Sequence, residues 1–271
     1  VSADKKAETV HTRIWLEEPE PDNAFATRAA YCRGYDVYGE MLGHATWAEM
    51  VYLLFSGEAP SSGQAALLDA LAVALANPGP RDQSVHAAMC GGVGGSPAAA
   101  CLMAALAVGA GHMSGGREVF LAMRIWEDCR QDLALWQAAL SAQAKDDISG
   151  WPAPEHRSGF EPYGSTASTI AIKTLDCLAR LSPGGSMPWL AANRPALEKA
   201  AGRPLSMSGV AAAALADLGF SAEQGEALYL LLRLPGAMAH ALEQKQYGHK
   251  KFPFFGLDII NDPCREKDEQ D

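Results

Sequence analysis

Residues 89–111 read MCGGVGGSPAAACLMAALAVGAG. The four glycines at 91, 92, 94 and 95 lead into Ser96-Pro97, a hydroxyl suited to cap a helix followed by a ring pre-set for its first residue. Alanines at 98–100, 104, 105 and 107 then carry a helix that Gly109 and Gly111 end. Side chains this small on most faces let neighbouring helices approach closely, so the stretch predicts a central, buried helix. At 98–110 it is too short for the roughly 18 apolar residues a membrane span needs. The same bias runs through the chain. Of 271 residues, 49 are Ala and only 17 are Val or Ile. Ala is the strongest helix former, whereas β-branched residues suit strands. An all-α fold with almost no sheet follows.

Upstream, Thr46-x-x-Glu49 and Ser61-x-x-Gln64 are capping boxes. They open helices ended by Gly57 and by Asn77-Pro78-Gly79-Pro80. Residues 1–25, with the acidic run LEEPEPD, predict a mobile polar lead-in. Downstream, His112-Met113-Ser114-Gly115-Gly116 precedes a helix expected over about 117–145. A Gly/Pro/Ser-rich loop spans 149–168, then a helix carries Ile170, Ile172, Leu175 and Leu178. Ser182–Pro188 is a break before a helix at about 194–201. Ser208 is positioned as the cap of a helix at about 209–218, and Ser221-x-x-Gln224 caps the last, about 222–246. The charged tail, 263–271, is expected to be disordered.

A formal charge of −10 argues against a duplex-binding role, which needs clustered Lys and Arg, but not against an anionic small ligand in a local pocket. No nucleic-acid or membrane partner is expected. The start, VSADKKAETVHTR, has no apolar h-region, so no secretory signal is expected. Six cysteines at 32, 90, 101, 129, 177 and 264 form no C-x-x-C pair. Buried structural thiols in a reducing cytosol fit them best. P-loop, H-E-x-x-H and G-x-S-x-G signatures are absent, and Glu40-x-x-x-His44 lacks metal-ligand spacing, so no metal is expected.

The chemistry-bearing stretch is AGHMSGGREVF, 110–120. A helix start offers unpaired N–H groups to an anion, and a neutral His there can donate to a thioester carbonyl and stabilise an enolate. The alternative is a His that fills a helix corner. His86 and His240 lie beside apolar residues and read as packing or capping groups.

Four segments together, GHATWAEMVYLLFSGEAP (43–60), the Ala-rich helix into GHMSGGREV (111–119), SGVAAAALADLGF (208–220) and LLRLPGAMAHALEQK (231–245), resemble the citrate synthase superfamily. The resemblance covers about 30–250 and is nearest to short citryl-CoA lyases and the C-terminal part of ATP-citrate lyase. It implies a two-domain helical fold: a large domain from 26–113 and 220–262, and a small mobile domain from 114–219. It also implies a homodimer and coenzyme A, as acyl-CoA, as the substrate. His112 matches the family His of an H-G-G-A-N-E-like turn, which polarises the thioester carbonyl. Arg233 matches an R-x-x-G arginine that binds a substrate carboxylate. Gly115, Gly116, Gly159 and Phe160 fall in the segments expected to line the ligand.

Other positions depart from the family. The Asp base falls at Ser208, which cannot serve as a carboxylate base and otherwise reads as a cap. The second His falls at Pro162, a D-P-R arginine at Ala171, and a D-H-G histidine at Pro78. His156 and Glu161 are candidate replacements for proton transfer, or else exposed loop residues. The expected function is an acyl-CoA C–C bond lyase or synthase with an altered partner substrate. The alternative is a CoA-binding pseudo-enzyme or partner subunit.

Overall fold

The computed structural model describes residues 10–142, 156–253 and 256. Ten α-helices dominate them: α1 (Trp47–Ser56), α2 (Ser62–Leu75), α3 (Gln83–Val93), α4 (Ala98–Gly109), α5 (Gly116–Cys129), α6 (Leu133–Ser141), α7 (Thr169–Leu181), α8 (Ser186–Ala201), α9 (Met207–Asp217) and α10 (Ala222–Tyr247). The expected capping boxes form at Thr46, Ser61 and Ser221, each with reciprocal side-chain and backbone bonds. Gly57 closes α1 in the left-handed conformation, as a C-terminal glycine does.

The polar lead-in is a correction in part. Residues 1–9 lie outside the described residues, but β1 (Trp15–Glu20), β2 (Asn23–Cys32) and the short β3 (Tyr35–Asp36) form an antiparallel sheet in the order β1-β2-β3. Its register sets Trp15 opposite Cys32 and Glu18 opposite Ala29, with an irregularity at Pro19. Neither WLEEPE nor NAFATRAAYC alternates apolar and polar residues, so the period-2 signal is faint. Cross-strand pairing such as Arg28 with Glu18 at 2.8 Å does part of the work.

Two helices differ from their expected extents. The helix expected over 117–145 breaks after Cys129, where Arg130 adopts φ +46° and Asp132 caps α6 through Ala134 and Leu135. The expected end beyond 142 lies outside the described residues, as do 149–155 and the tail 263–271. The helix expected at 194–201 begins at Ser186 and runs through Pro195. Gly91 and Gly92 belong to α3. A methyl group on Gly92 would collide with the Ala241 carbonyl, so glycine lets α3 lie against α10.

Burial also differs from expectation. α4 buries only Cys101, Ala105 and Gly109, while Met103 and Val108 are exposed. The central helix is α9, buried from Ser208 to Leu215 and packed on α2, α5, α7, α8 and α10. Around it lies the main core, including edge-on contact between Trp126 and both Trp136 and Trp189. A smaller core of Val85, Ala88, Cys101, Ala105, Ala237 and Ala241 joins α3, α4 and the second half of α10. Cys32, Cys101 and Cys129 are buried free thiols, but Cys90 is exposed, contrary to the expected buried set. Cys264 lies outside the described residues.

Candidate active site

The site is assembled where the α4–α5 turn, loop 156–165 and the start of α9 meet. Its centre is Glu118, a residue sequence reasoning passed over. Glu118 is the third residue of α5 and is 1% exposed. A buried carboxylate is tolerable only with donors around it. It has three: the backbone N–H groups of Ser114 and Gly159 (3.1 Å) and the hydroxyl of Ser208 (2.6 Å). The N-terminal position on α5 adds the favourable end of the helix dipole. A signal was present in the sequence, because Glu118 lies six residues after His112, in the AGHMSGGREVF stretch already singled out.

Ser208 does not cap α9. Ser206 does, accepting from Gly209 N–H, and its hydroxyl also lies 2.6 Å from that of Ser208. Ser208 therefore sits inside the first turn of the helix, with its hydroxyl committed to Glu118. Loop 156–165 is seated on this helix start by close backbone contact. Gly159 and Gly209 face each other so tightly that a methyl group on either would meet the other's backbone. Ser206 N–H donates to the Gly159 carbonyl at 3.1 Å, and Glu161 N–H to that of Pro204 at 2.8 Å.

That seating brings His156 and Glu161 inward, so neither is an exposed loop residue. The His156 side chain is 5% exposed and its Nε2 lies 3.8 Å from Glu118 Oε2, without a hydrogen-bond partner. Glu161 is half-buried. Burial, then the charge of Glu118, pushes its carboxyl above the ordinary value, against a smaller opposing effect of His156. Phe160, expected at the ligand, is 2% exposed and part of the main core.

His112 occupies the turn between α4 and α5. Its Nδ1 is buried and has no hydrogen-bond partner. The turn itself is clamped. Tyr229 Oη donates to the Ser114 carbonyl at 3.0 Å, as does Arg233 Nη1 at 2.9 Å, and Ser114 holds φ +55°. Burial keeps the Tyr229 phenol protonated, with its pKa pushed up to about 12. Gly115 and Gly116 serve this clamp: a methyl on Gly115 would strike the carbonyls of Gly109 and Gly111, and one on Gly116 would press on Leu230. The Tyr163 hydroxyl reaches Met113 Sδ at 3.8 Å, tying loop 156–165 to the His112 turn. Arg233 is also paired with Asp82, so its cation is already engaged.

His86 stacks on Phe252, and His240 contacts Asn77 and Glu243, both away from this cluster. An open cavity of about 640 Å³, lined by Trp126, Glu127, Arg130, Gln131, Ser186 and Phe220 among others, includes none of the candidate residues. Among the described residues no group of three or more His, Cys, Asp or Glu is placed to hold a metal, and no helix is long and apolar enough to cross a membrane.

The sequence matches no family model and no curated protein. Solved structures match its fold. Citryl-CoA lyase from Hydrogenobacter thermophilus superposes with a TM-score of 0.68 at 19% identity, over 96% of this chain and 100% of that one. This is the citrate synthase fold. ATP citrate lyase from Methanothrix soehngenii, in complex with citrate and coenzyme A, also gives 0.68, at 14% identity, over 94% of this chain and 43% of that one. Citrate synthase from Thermoplasma acidophilum, with carboxymethyl coenzyme A and oxaloacetate, gives 0.57 at 18% identity, over 82% of this chain and 60% of that one.

Proposed function

We propose that this chain is an acyl-CoA C–C bond lyase or synthase, with a partner substrate different from that of the citrate enzymes it resembles in fold. The observation that carries the reading is the unpartnered, buried Nδ1 of His112 in a clamped turn at a helix start. A buried ring nitrogen without a partner is costly, and a thioester carbonyl is a fitting one. His112 would donate to that oxygen and stabilise the enolate as it forms. Proton transfer at the α-carbon falls to His156 or Glu161. Glu161, whose carboxyl titrates above the ordinary value, is the better matched to that work of the two carboxylates. Glu118, with three donors already on it, holds this arrangement in place. The similar structures that carry coenzyme A or a derivative support coenzyme A as the ligand class.

The reading includes a homodimer, a cytoplasmic setting, and closure of a small domain (114–219) on a large one (26–113 and 220–262). It is tested by acetyl-CoA release from citryl-CoA, malyl-CoA and alkyl 3-hydroxyacyl-CoA thioesters. His112→Ala should lower turnover of whichever is cleaved by about 10²–10³-fold. A second reading, a CoA-binding pseudo-enzyme or partner subunit, is favoured by one observation: the Ser208 hydroxyl, at the family Asp position, is spent on Glu118. Calorimetric binding of acetyl-CoA without turnover of any thioester would select it.

A further inference from the structure

We infer that the compound joined to, or released from, the acyl-CoA α-carbon is an uncharged aldehyde or ketone rather than an oxo acid, and that Asp82 is the residue that sets this preference by holding Arg233. The inference rests on the lyase or synthase reading above and deepens it. Arg233 is 5% exposed. Nη2 pairs with Asp82 Oδ2, Nη1 donates to the Ser114 carbonyl, and the guanidinium lies 4.8 Å from the centre of the Tyr229 ring. Asp82 is equally engaged. Its Oδ1 caps α3, accepting from Ser84 N–H at 3.0 Å, from Val85 N–H and from the Ser84 hydroxyl at 2.5 Å.

A carboxylate arriving at Arg233 would have to displace one that is part of the fold. The cavity between Arg233, Ser84, Leu106 and Leu230 has about 10 Å³, barely a water molecule. The pair is neutral as a unit. The positions that resemblance marks as further cationic contacts hold Pro78, Pro162 and Ala171, and Ala171 is buried. Across the site, Glu118 and Glu161 add acidic groups. An incoming carboxylate would thus lose water without gaining the Arg233 cation, whereas a carbonyl carrying hydrogen or alkyl groups does not call for one.

The step balances without an oxidant. In cleavage, the β-hydroxyl of a 3-hydroxyacyl-CoA loses its proton and the Cα–Cβ bond breaks. The β-carbon leaves as an aldehyde or ketone, and the thioester enolate takes a proton at its α-carbon to give acetyl-CoA. Synthesis is the reverse.

The test measures acetyl-CoA release by the wild-type protein from 3-hydroxybutyryl-CoA and 3-hydroxyhexanoyl-CoA, which yield aldehydes, and from malyl-CoA and citryl-CoA, which yield oxo acids. The neutral pair should be favoured in kcat/KM by at least about a hundredfold. Asp82→Asn, which keeps a good helix cap, should move the preference toward malyl-CoA by about tenfold or more as Arg233 is freed. Equal or faster cleavage of the carboxylated thioesters by the wild type overturns the inference and leaves the lyase reading standing. A folded Asp82→Asn protein with unchanged preference removes Asp82 from the argument and overturns it too. Release from none of the four overturns the lyase reading, and this inference with it. The wild-type comparison needs no variant, so it decides the question even where Asp82→Asn folds poorly.

Discussion

α4 and α9 are written in nearly the same letters, AAACLMAALAVG and MSGVAAAALAD, yet they sit at opposite depths. α9 is enclosed by five helices and buries Ala211, Ala212, Ala213 and Ala214 completely. α4 packs on α3 and α10 along one strip and leaves Ala98, Ala99, Met103, Ala107 and Val108 exposed. Alanine permits close approach but does not demand it. What separates the two helices is the number of partners that the rest of the chain delivers to each. The same difference explains the site: only the enclosed helix can hold a serine against a buried carboxylate.

The comparison can be broken in four places. The largest effect is expected at the start of α9. Ser208→Asp puts a second carboxylate against that of Glu118 inside the enclosed first turn of α9. An uncompensated buried charge costs about 3–5 kcal/mol, measured as lost stability in urea unfolding at pH 7. A stable Ser208→Asp protein would mean that Glu118 moves aside, and the enclosed view of α9 would fail. Next, Ala213→Leu should overpack the centre of α9 and cost about 3 kcal/mol by the same measurement.

A smaller, pH-dependent effect is expected where loop 156–165 rests on α9. The Glu161 carboxyl is raised in the folded protein by burial and by Glu118. The native state therefore keeps this proton to higher pH than the unfolded chain does. Stability from Glu161 is fully present below its unfolded value of about 4.3 and falls as pH rises through the raised native value. Glu161→Gln should match the wild type in melting temperature on the acid side of that window and exceed it above. A difference that does not change with pH would contradict the placement of Glu161 beside Glu118. The smallest effect belongs to α4: Ala107→Leu, on the exposed face, should stay within about 0.5 kcal/mol. A loss equal to that of Ala213→Leu would show that α4 is covered in solution.

The starts of α1, α2 and α10 could be read in advance because their signals are local. Thr46 with Glu49, Ser61 with Gln64 and Ser221 with Gln224 carry their bonding partners within three residues. The β1–β2 sheet was not legible, since its pairing joins Trp15 to Cys32 through charged and small residues. At the site, His112 was marked by its turn and Arg233 by its motif. Glu118 stood six residues beyond His112, but nothing local shows that a glutamate is buried until Gly159 and Ser208 arrive from 41 and 90 residues away. The engagement of Arg233 was hidden in the same way, because Asp82 lies 151 residues upstream.

The sequence by itself determined that this protein is helical, where the capping-box helices begin, and which turn carries the histidine, because propensity, capping and glycine breaks act over a few residues. Tertiary structure alone decided which Ala-rich helix is central, that Ser208 bonds Glu118 instead of capping, that His156 and Glu161 face inward, and that Asp82 occupies Arg233. Each of those depends on burial and charge pairing between distant segments, and free energies of that kind exist only once the chain has brought the partners together.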